Sequence, residues 1–120
     1  MNISFVVQNN LQIEWELCEQ VLAVNTHKTM IIPINHIRSV STEKPVSSCL
    51  EIRSPGIAIP GVIKAGTFYN HHIKEFWYVN KNQNYLTLEL TDEPWQRVII
   101  TIDDNQDWAE QINQRLLINR

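Results

Sequence analysis

The segment PGIAIPGVIKAGTFY, residues 55–69, contains all three glycines of the chain, spaced five residues apart. Glycine-rich loops can hold phosphate against backbone N–H groups, so this spacing raises the question of a nucleotide site. A Walker loop needs a lysine directly after its last glycine, whereas Thr67 follows Gly66 and Lys64 lies inside the segment. Because the intervening residues are mostly apolar and no βα pattern surrounds them, we reject a phosphate loop.

Two interpretations of this segment remain open. In the first, the glycines let the chain cross between two sheets, one set of strands ending at Arg53 and another beginning near Thr67, with Gly66 the least replaceable glycine. In the second, exposed apolar residues between prolines form a partner-binding loop. The partner-binding candidates are Ile57, Ile59, Pro60, Val62, Ile63 and Lys64, and the structural glycines are Gly56, Gly61 and Gly66.

Other chemistry-bearing residues do not form a recognisable site. His71 and His72 would face opposite sides of a strand and could share a metal ion with Glu75 only in a turn, so we interpret them, like His27 and His36, as non-ligands. The run DDNQD (103–107) lacks the glycine and distal glutamate of a calcium loop. The chain has no GxSxG motif, and Cys18 and Cys49 match no metal or nucleophile pattern. We therefore expect a protein that is not an enzyme and needs no cofactor or metal.

Composition limits the class of protein and partner. The 120 residues are 43% hydrophobic and 19% charged, which predicts a single globular domain over residues 1–120. Ten basic residues against thirteen acidic ones, with neither half basic, argue against nucleic acid or an anionic membrane as the partner. With no leader pattern, no apolar run of membrane-spanning length and two cysteines, we expect a cytoplasmic protein with reduced thiols and no transmembrane segment.

Period-two alternation predicts strands along most of the chain, as in Leu86, Leu88 and Leu90. The period then changes: Trp108, Ile112 and Leu116 predict one apolar face of a C-terminal helix over about residues 105–118, with Ala109 and Leu117 widening it. Asp104 is the expected N-cap. The fold is therefore expected to be mainly β, with seven to nine antiparallel strands in a small barrel or sandwich, and with Trp108 of the helix covering the open end of a barrel. Residues 1–9 are expected to be flexible or to contact another copy.

Six segments resemble the bacterial pleckstrin-homology-like (PH-like) domains. They are IPINHIRSV (32–40), IRSPG (52–56), AGTFY (65–69), EFWYV (75–79), RVIIT (97–101) and DWAEQI (107–112), and together they span roughly residues 10–118. The resemblance implies a PH-like barrel that serves as a binding or assembly module. Some bacterial relatives assemble into rings, so the resemblance also admits a homo-oligomer.

The resemblance does not carry a phosphoinositide site with it. Eukaryotic PH domains bind inositol phosphates through a basic loop between their first two strands, and here residues 17–20 are acidic or neutral and follow Glu14 and Glu16. We therefore expect a non-enzymatic PH-like module for protein–protein binding or self-association. The alternative is a carrier of a small hydrophobic ligand, with a lipocalin-like cavity inside the barrel.

Overall fold

The computed structural model describes residues 2–6, 10–15, 29–45, 52–59, 63–70, 72–81 and 84–118. These residues form two β-sheets and a C-terminal helix, so the protein is mainly β. The strands are β1 (Asn2–Val6), β2 (Asn10–Glu14), β3 (Thr29–Pro33), β4 (Ile37–Ser41), β5 (Ile52–Ile59), β6 (Ile63–Asn70), β7 (Ile73–Asn80), β8 (Tyr85–Leu90) and β9 (Arg97–Thr101). A 3₁₀ turn, Ile34–His36, precedes β4, and the helix α1 spans Asn105–Ile118.

The smaller sheet is antiparallel in the order β1-β2-β3. Alternation along β2 buries Leu11 and Ile13, and Trp15 directly after the strand is buried as well, as the period-two pattern predicts. Residues Asn2–Val6 pair with β2 over their whole length. Their apolar side chains Ile3 and Phe5 pack against the core. The expectation that residues 1–9 are flexible or contact another copy stays a prediction.

The larger sheet has the order β4-β8-β9-β7-β6-β5. Most pairs of neighbouring strands in this sheet are antiparallel. Strand β9, however, lies between β7 and β8 and runs parallel to β7, which differs from the prediction that all strands are antiparallel. Local alternation reports which face of a strand is buried but carries no information on its neighbours. Among the described strands no ladder joins the two sheets, so the hydrogen bonding is not closed into a barrel.

The two sheets enclose one apolar core. Trp15 lies at its centre, with ring centroids 5.4 Å from Phe76 and 5.5 Å from Tyr78. The helix adds Ala109, Ile112 and Leu116 to the same core. Burial of one helix face against the sheets is the main source of the helix's stability, since isolated helices of this length are marginal in water.

The helix has the predicted bounds, but its apolar face differs from the prediction. The Asp104 carbonyl accepts the first helical hydrogen bond from the Trp108 N–H at 3.0 Å, which gives Asp104 the N-cap position. Trp108 is only partly buried and stacks on Phe5 of β1, at 5.6 Å between ring centroids. Leu117 is 71% exposed. The core is therefore sealed by the smaller side chains of the helix, and Trp108 packs at the margin.

The glycine-rich segment forms a hairpin, and the predicted crossover between two sheets is wrong. Strands β5 and β6 pair in one sheet, with Gly56 opposite Gly66, and the connection 60–62, which includes Gly61, lies outside the described residues. Gly66 has φ 128° and lies opposite Trp77 of β7. A side chain at residue 66 would be disfavoured by this backbone conformation, which supports the prediction that Gly66 is the least replaceable glycine.

Candidate functional site

The candidate binding site is a cleft between strand β4 and helix α1, hereafter the β4–α1 cleft. Strand β4 is the last strand in the described order of the larger sheet. An edge strand presents backbone N–H and C=O groups that a further strand can pair with. Its register with β8 shifts between Ile37 and Ser39, a bulge of the kind that limits uncontrolled pairing at sheet edges.

The walls of the cleft come from two elements, and its volume is about 510 Å³. The strand wall comprises the end of β4 and the residues after it, Val40 to Glu43. The helix wall consists of residues three or four apart, which share one helix face: Gln106, Ala109, Glu110, Asn113, Gln114 and Leu117. Because these positions extend from the first to the last turn, the cleft follows most of the length of α1.

A hydrogen bond connects the two walls near the start of the helix. Gln106 Nε2 donates to Thr42 Oγ1 at 3.1 Å. The charged residues that line the cleft are Glu43 and Glu110, both exposed and both acidic. The cleft is therefore negative and rich in amide and hydroxyl groups, with apolar contacts available at Val40 and Leu117.

The face of the larger sheet that points away from the core carries a charged ladder. Arg97 of β9 donates from Nη1 to Glu75 Oε2 at 2.5 Å and from Nε to Glu89 Oε1 at 2.8 Å. Glu75 is fully buried, and its other oxygen accepts from Trp77 Nε1 at 3.0 Å. Burial of the Arg97 guanidinium by itself lowers its pKa, but the hydrogen bonds and charges of Glu89 and Glu75 outweigh this and raise the pKa above its ordinary value.

This ladder has a structural explanation. Both Glu75 oxygens hold hydrogen-bond donors, and Arg97 is shared between two carboxylates on neighbouring strands. A carboxylate that has its partners and no exposure to solvent is not positioned to abstract a proton from a substrate. The ladder instead fixes β7, β9 and β8 to one another.

The predicted partner-binding residues are only partly described. Lys64 lies in β6 with its Nζ 3.6 Å from the Trp77 ring centroid and 4.6 Å from that of Phe68, and Ile63 packs against the core. Both therefore contact their own chain. Ile57 and Ile59 belong to β5, whose side chains, like residues Pro60 and Val62, lie outside the described residues. A partner at this hairpin stays a prediction.

Of the four histidines and two cysteines, only His36 and His72 lie among the described residues. His36 Nδ1 lies 2.7 Å from Glu93 Oε2, and His72 is exposed in the β6–β7 turn with φ 71°. Glu75, the carboxylate considered with His72, pairs with Arg97 instead. His27, His71, Cys18 and Cys49 lie outside the described residues. Within the described ranges no three histidine, cysteine, aspartate or glutamate side chains form a group that could hold a metal ion.

Sequence reasoning missed the β4–α1 cleft. A signal for its helix wall was present, because Gln106, Glu110, Asn113 and Gln114 recur at helical spacing opposite the apolar stripe. The strand wall had no comparable signal, because a strand's position at a sheet edge is set by pairing between distant parts of the chain. These polar residues are exposed, and a polar helix face is also typical of an ordinary solvent-facing side, so the pattern does not single out a cleft.

Within the described parts of the chain, no helix has both the length and the apolar character needed to cross a lipid bilayer. Comparisons of the sequence with protein-family models and with curated proteins, and of the fold with solved structures, find no match. The functional inference therefore depends on the geometry of the β4–α1 cleft.

Proposed function

We propose that this chain is a non-enzymatic binding module of PH-like fold, in which the two sheets and α1 form a small barrel-like body. Its partner is an extended segment of another protein, which lies in the β4–α1 cleft and continues the larger sheet beyond β4. The observation that carries this proposal is an edge strand beside an open cleft whose other wall is a helix.

Strand addition matches the chemistry of both walls. Backbone pairing to an edge strand supplies affinity, and side chains that project into a neighbouring groove supply specificity. The five residues of β4 span about 16 Å at the usual rise per residue of a strand. The fourteen residues of α1 span about 21 Å. A bound segment of five to seven residues could therefore contact strand and helix together.

The packing of the described core residues favours this module over a carrier of a small hydrophobic ligand. A carrier needs an internal cavity of a few hundred Å³ lined by apolar side chains. Here the described side chains between the sheets belong to a single packed cluster. Those at most 1% exposed are Leu11, Ile13, Ile32, Ala65, Phe76, Leu86, Leu88, Val98, Ile100 and Ile112. An apolar ligand would have to displace this packing.

The test is selection from a phage library of random eight-residue peptides, followed by measurement of the affinity of enriched peptides by fluorescence polarisation. We expect Asn113→Trp, which fills the cleft, to weaken binding at least about fivefold, because the loss of a central hot-spot contact costs more than about 1 kcal/mol. The matched control is Gln111→Trp, which places the same side chain at an exposed position of the same helix outside the cleft.

The proposal is wrong if selection enriches no peptides. It is also wrong if Asn113→Trp and Gln111→Trp bind the enriched peptides as tightly as the parent protein does. Both substitutions are at exposed positions, so we expect both variants to fold. Thermal unfolding checks that each variant is folded.

A further inference from the structure

We propose that the β4–α1 cleft preferentially binds segments that carry a lysine or arginine, and that Glu43 and Glu110 recognise this positive charge. This inference rests on the proposed function, because it describes the partner of that same cleft. It adds the chemical class of the partner, a basic extended segment, to the mode of binding.

The two carboxylates lie on opposite walls. Glu43 is on the strand wall, two residues beyond the end of β4, and Glu110 is in the middle of the helix wall. Both are exposed, so neither side chain is committed to the core of its own chain. A cationic side chain that enters the cleft meets negative charge on each wall, whereas an acidic side chain meets repulsion from each.

No lysine or arginine is among the residues that line the described cleft. Two exposed cations lie nearby, Lys44 directly after Glu43 and Arg38 in β4, but both are outside the lining. The other polar lining groups are hydroxyls and amides, which can donate to or accept from a bound backbone without a preference for charge. The charge preference of the cleft therefore comes from Glu43 and Glu110.

Charge also argues against a second copy of this chain as the occupant. A symmetric pairing of two β4 edges would bring both clefts together, because a two-fold interface contacts the same surface on both copies. Such a contact would place four carboxylates, Glu43 and Glu110 from each copy, along one interface. A foreign basic segment neutralises this charge instead of doubling it.

The test uses three arrays of random eight-residue peptides that are identical except for a central residue fixed as lysine, glutamine or glutamate. We expect the parent protein to bind the lysine array about two- to fivefold more strongly than the glutamine array for each carboxylate engaged, with the glutamate array weakest. The preference should shrink as salt is raised from 20 mM to 500 mM, because exposed charges are screened.

The variant Glu43→Gln/Glu110→Gln should bind the lysine and glutamine arrays equally while retaining the binding that the glutamine array measures. The matched control is Glu14→Gln, at an exposed position of β2 on the other sheet, which should leave the preference unchanged.

Three results would contradict the proposals, and they differ in which proposal they contradict. Equal binding of all three arrays by the parent protein would overturn the charge preference alone. Binding to none of the arrays would overturn the proposal that the chain is a peptide-binding module. A contact between two copies that Asn113→Trp abolishes would overturn the proposal that the partner is another protein.

Discussion

At the scale of single residues, the clearest feature is that Arg97 serves two carboxylates of unequal burial. Glu75 is fully buried, whereas the side chain of Glu89 is 36% exposed. Both accept a hydrogen bond from the same guanidinium. They differ in their access to water and in the second donor of Glu75, Trp77 Nε1. Comparing them measures what burial together with this second hydrogen bond adds to a charged contact.

We expect Glu75→Gln to lower the free energy of unfolding by about 1.5–3 kcal/mol, the usual range for a hydrogen bond to a charged group in a buried site. Glu89→Gln should cost less than about 1 kcal/mol, because water screens the exposed pair. Urea unfolding at pH 7 gives both values. Equal losses for the two variants would mean that the ladder does not act through burial.

Gly66 gives a second prediction at this scale. Its φ of 128° is accessible to glycine and unfavourable for residues with a Cβ atom. We expect Gly66→Ala to destabilise the protein by about 1–3 kcal/mol, measured by the same urea method. Ser4→Ala is the control, because Ser4 is an exposed strand residue without a positive φ. A Gly66→Ala variant of parent stability would show that the strand can adopt an ordinary conformation there.

At the scale of elements, helix α1 joins the edges of the two sheets. One side of it contacts β1, where the Arg115 guanidinium lies 3.7 Å from the Phe5 ring centroid beside Trp108. The other side borders β4 across the cleft. The same helix thus covers the core and provides a wall of the candidate site.

The helix makes a prediction that separates core from margin. Ile112 is fully buried, so Ile112→Ala should cost about 2–5 kcal/mol. Replacing a fully buried tryptophan by alanine typically lowers the free energy of unfolding by about 3–5 kcal/mol. Trp108→Ala should lower it by less than half of that, because Trp108 is partly exposed. Thermal or urea unfolding ranks the two variants. A larger loss for Trp108→Ala would make the tryptophan the main contact of the helix.

The elements also show what sequence patterns can and cannot predict. Alternation located β2, β8 and β9 and the apolar sides of β2 and β8, because side chains of a half-buried strand alternate between core and solvent. The helix bounds followed from the change of period and from Asp104 at its start. Neither the parallel β7–β9 pair nor the edge position of β4 could be predicted, because both depend on contacts between distant segments. The cleft depends on that edge and was missed with it.

At the scale of the whole molecule, the question is whether copies of the chain associate. Strand β4 is an open edge where described, which favours pairing between copies, while Glu43 and Glu110 oppose it. We expect light scattering in 20 mM salt to give the mass of one chain at all concentrations. If copies pair through β4, raising the salt concentration should favour the dimer by screening these carboxylates. A stable dimer in low salt that Asn113→Trp leaves intact would show that association uses another surface.

The insertion of β9 between β7 and β8 has a consequence for folding during synthesis. Strands β7 and β8 follow one another in the chain, but both pair with β9. Neither can form this pairing until residues 97–101 have left the ribosome. Strand pairs that are distant in sequence form slowly, because the entropy of loop closure is lost before the contacts between the strands can stabilise them. We therefore expect the larger sheet to be completed only when nearly the whole chain is available, and chains released before residue 101 to expose two unpaired strand edges that favour aggregation.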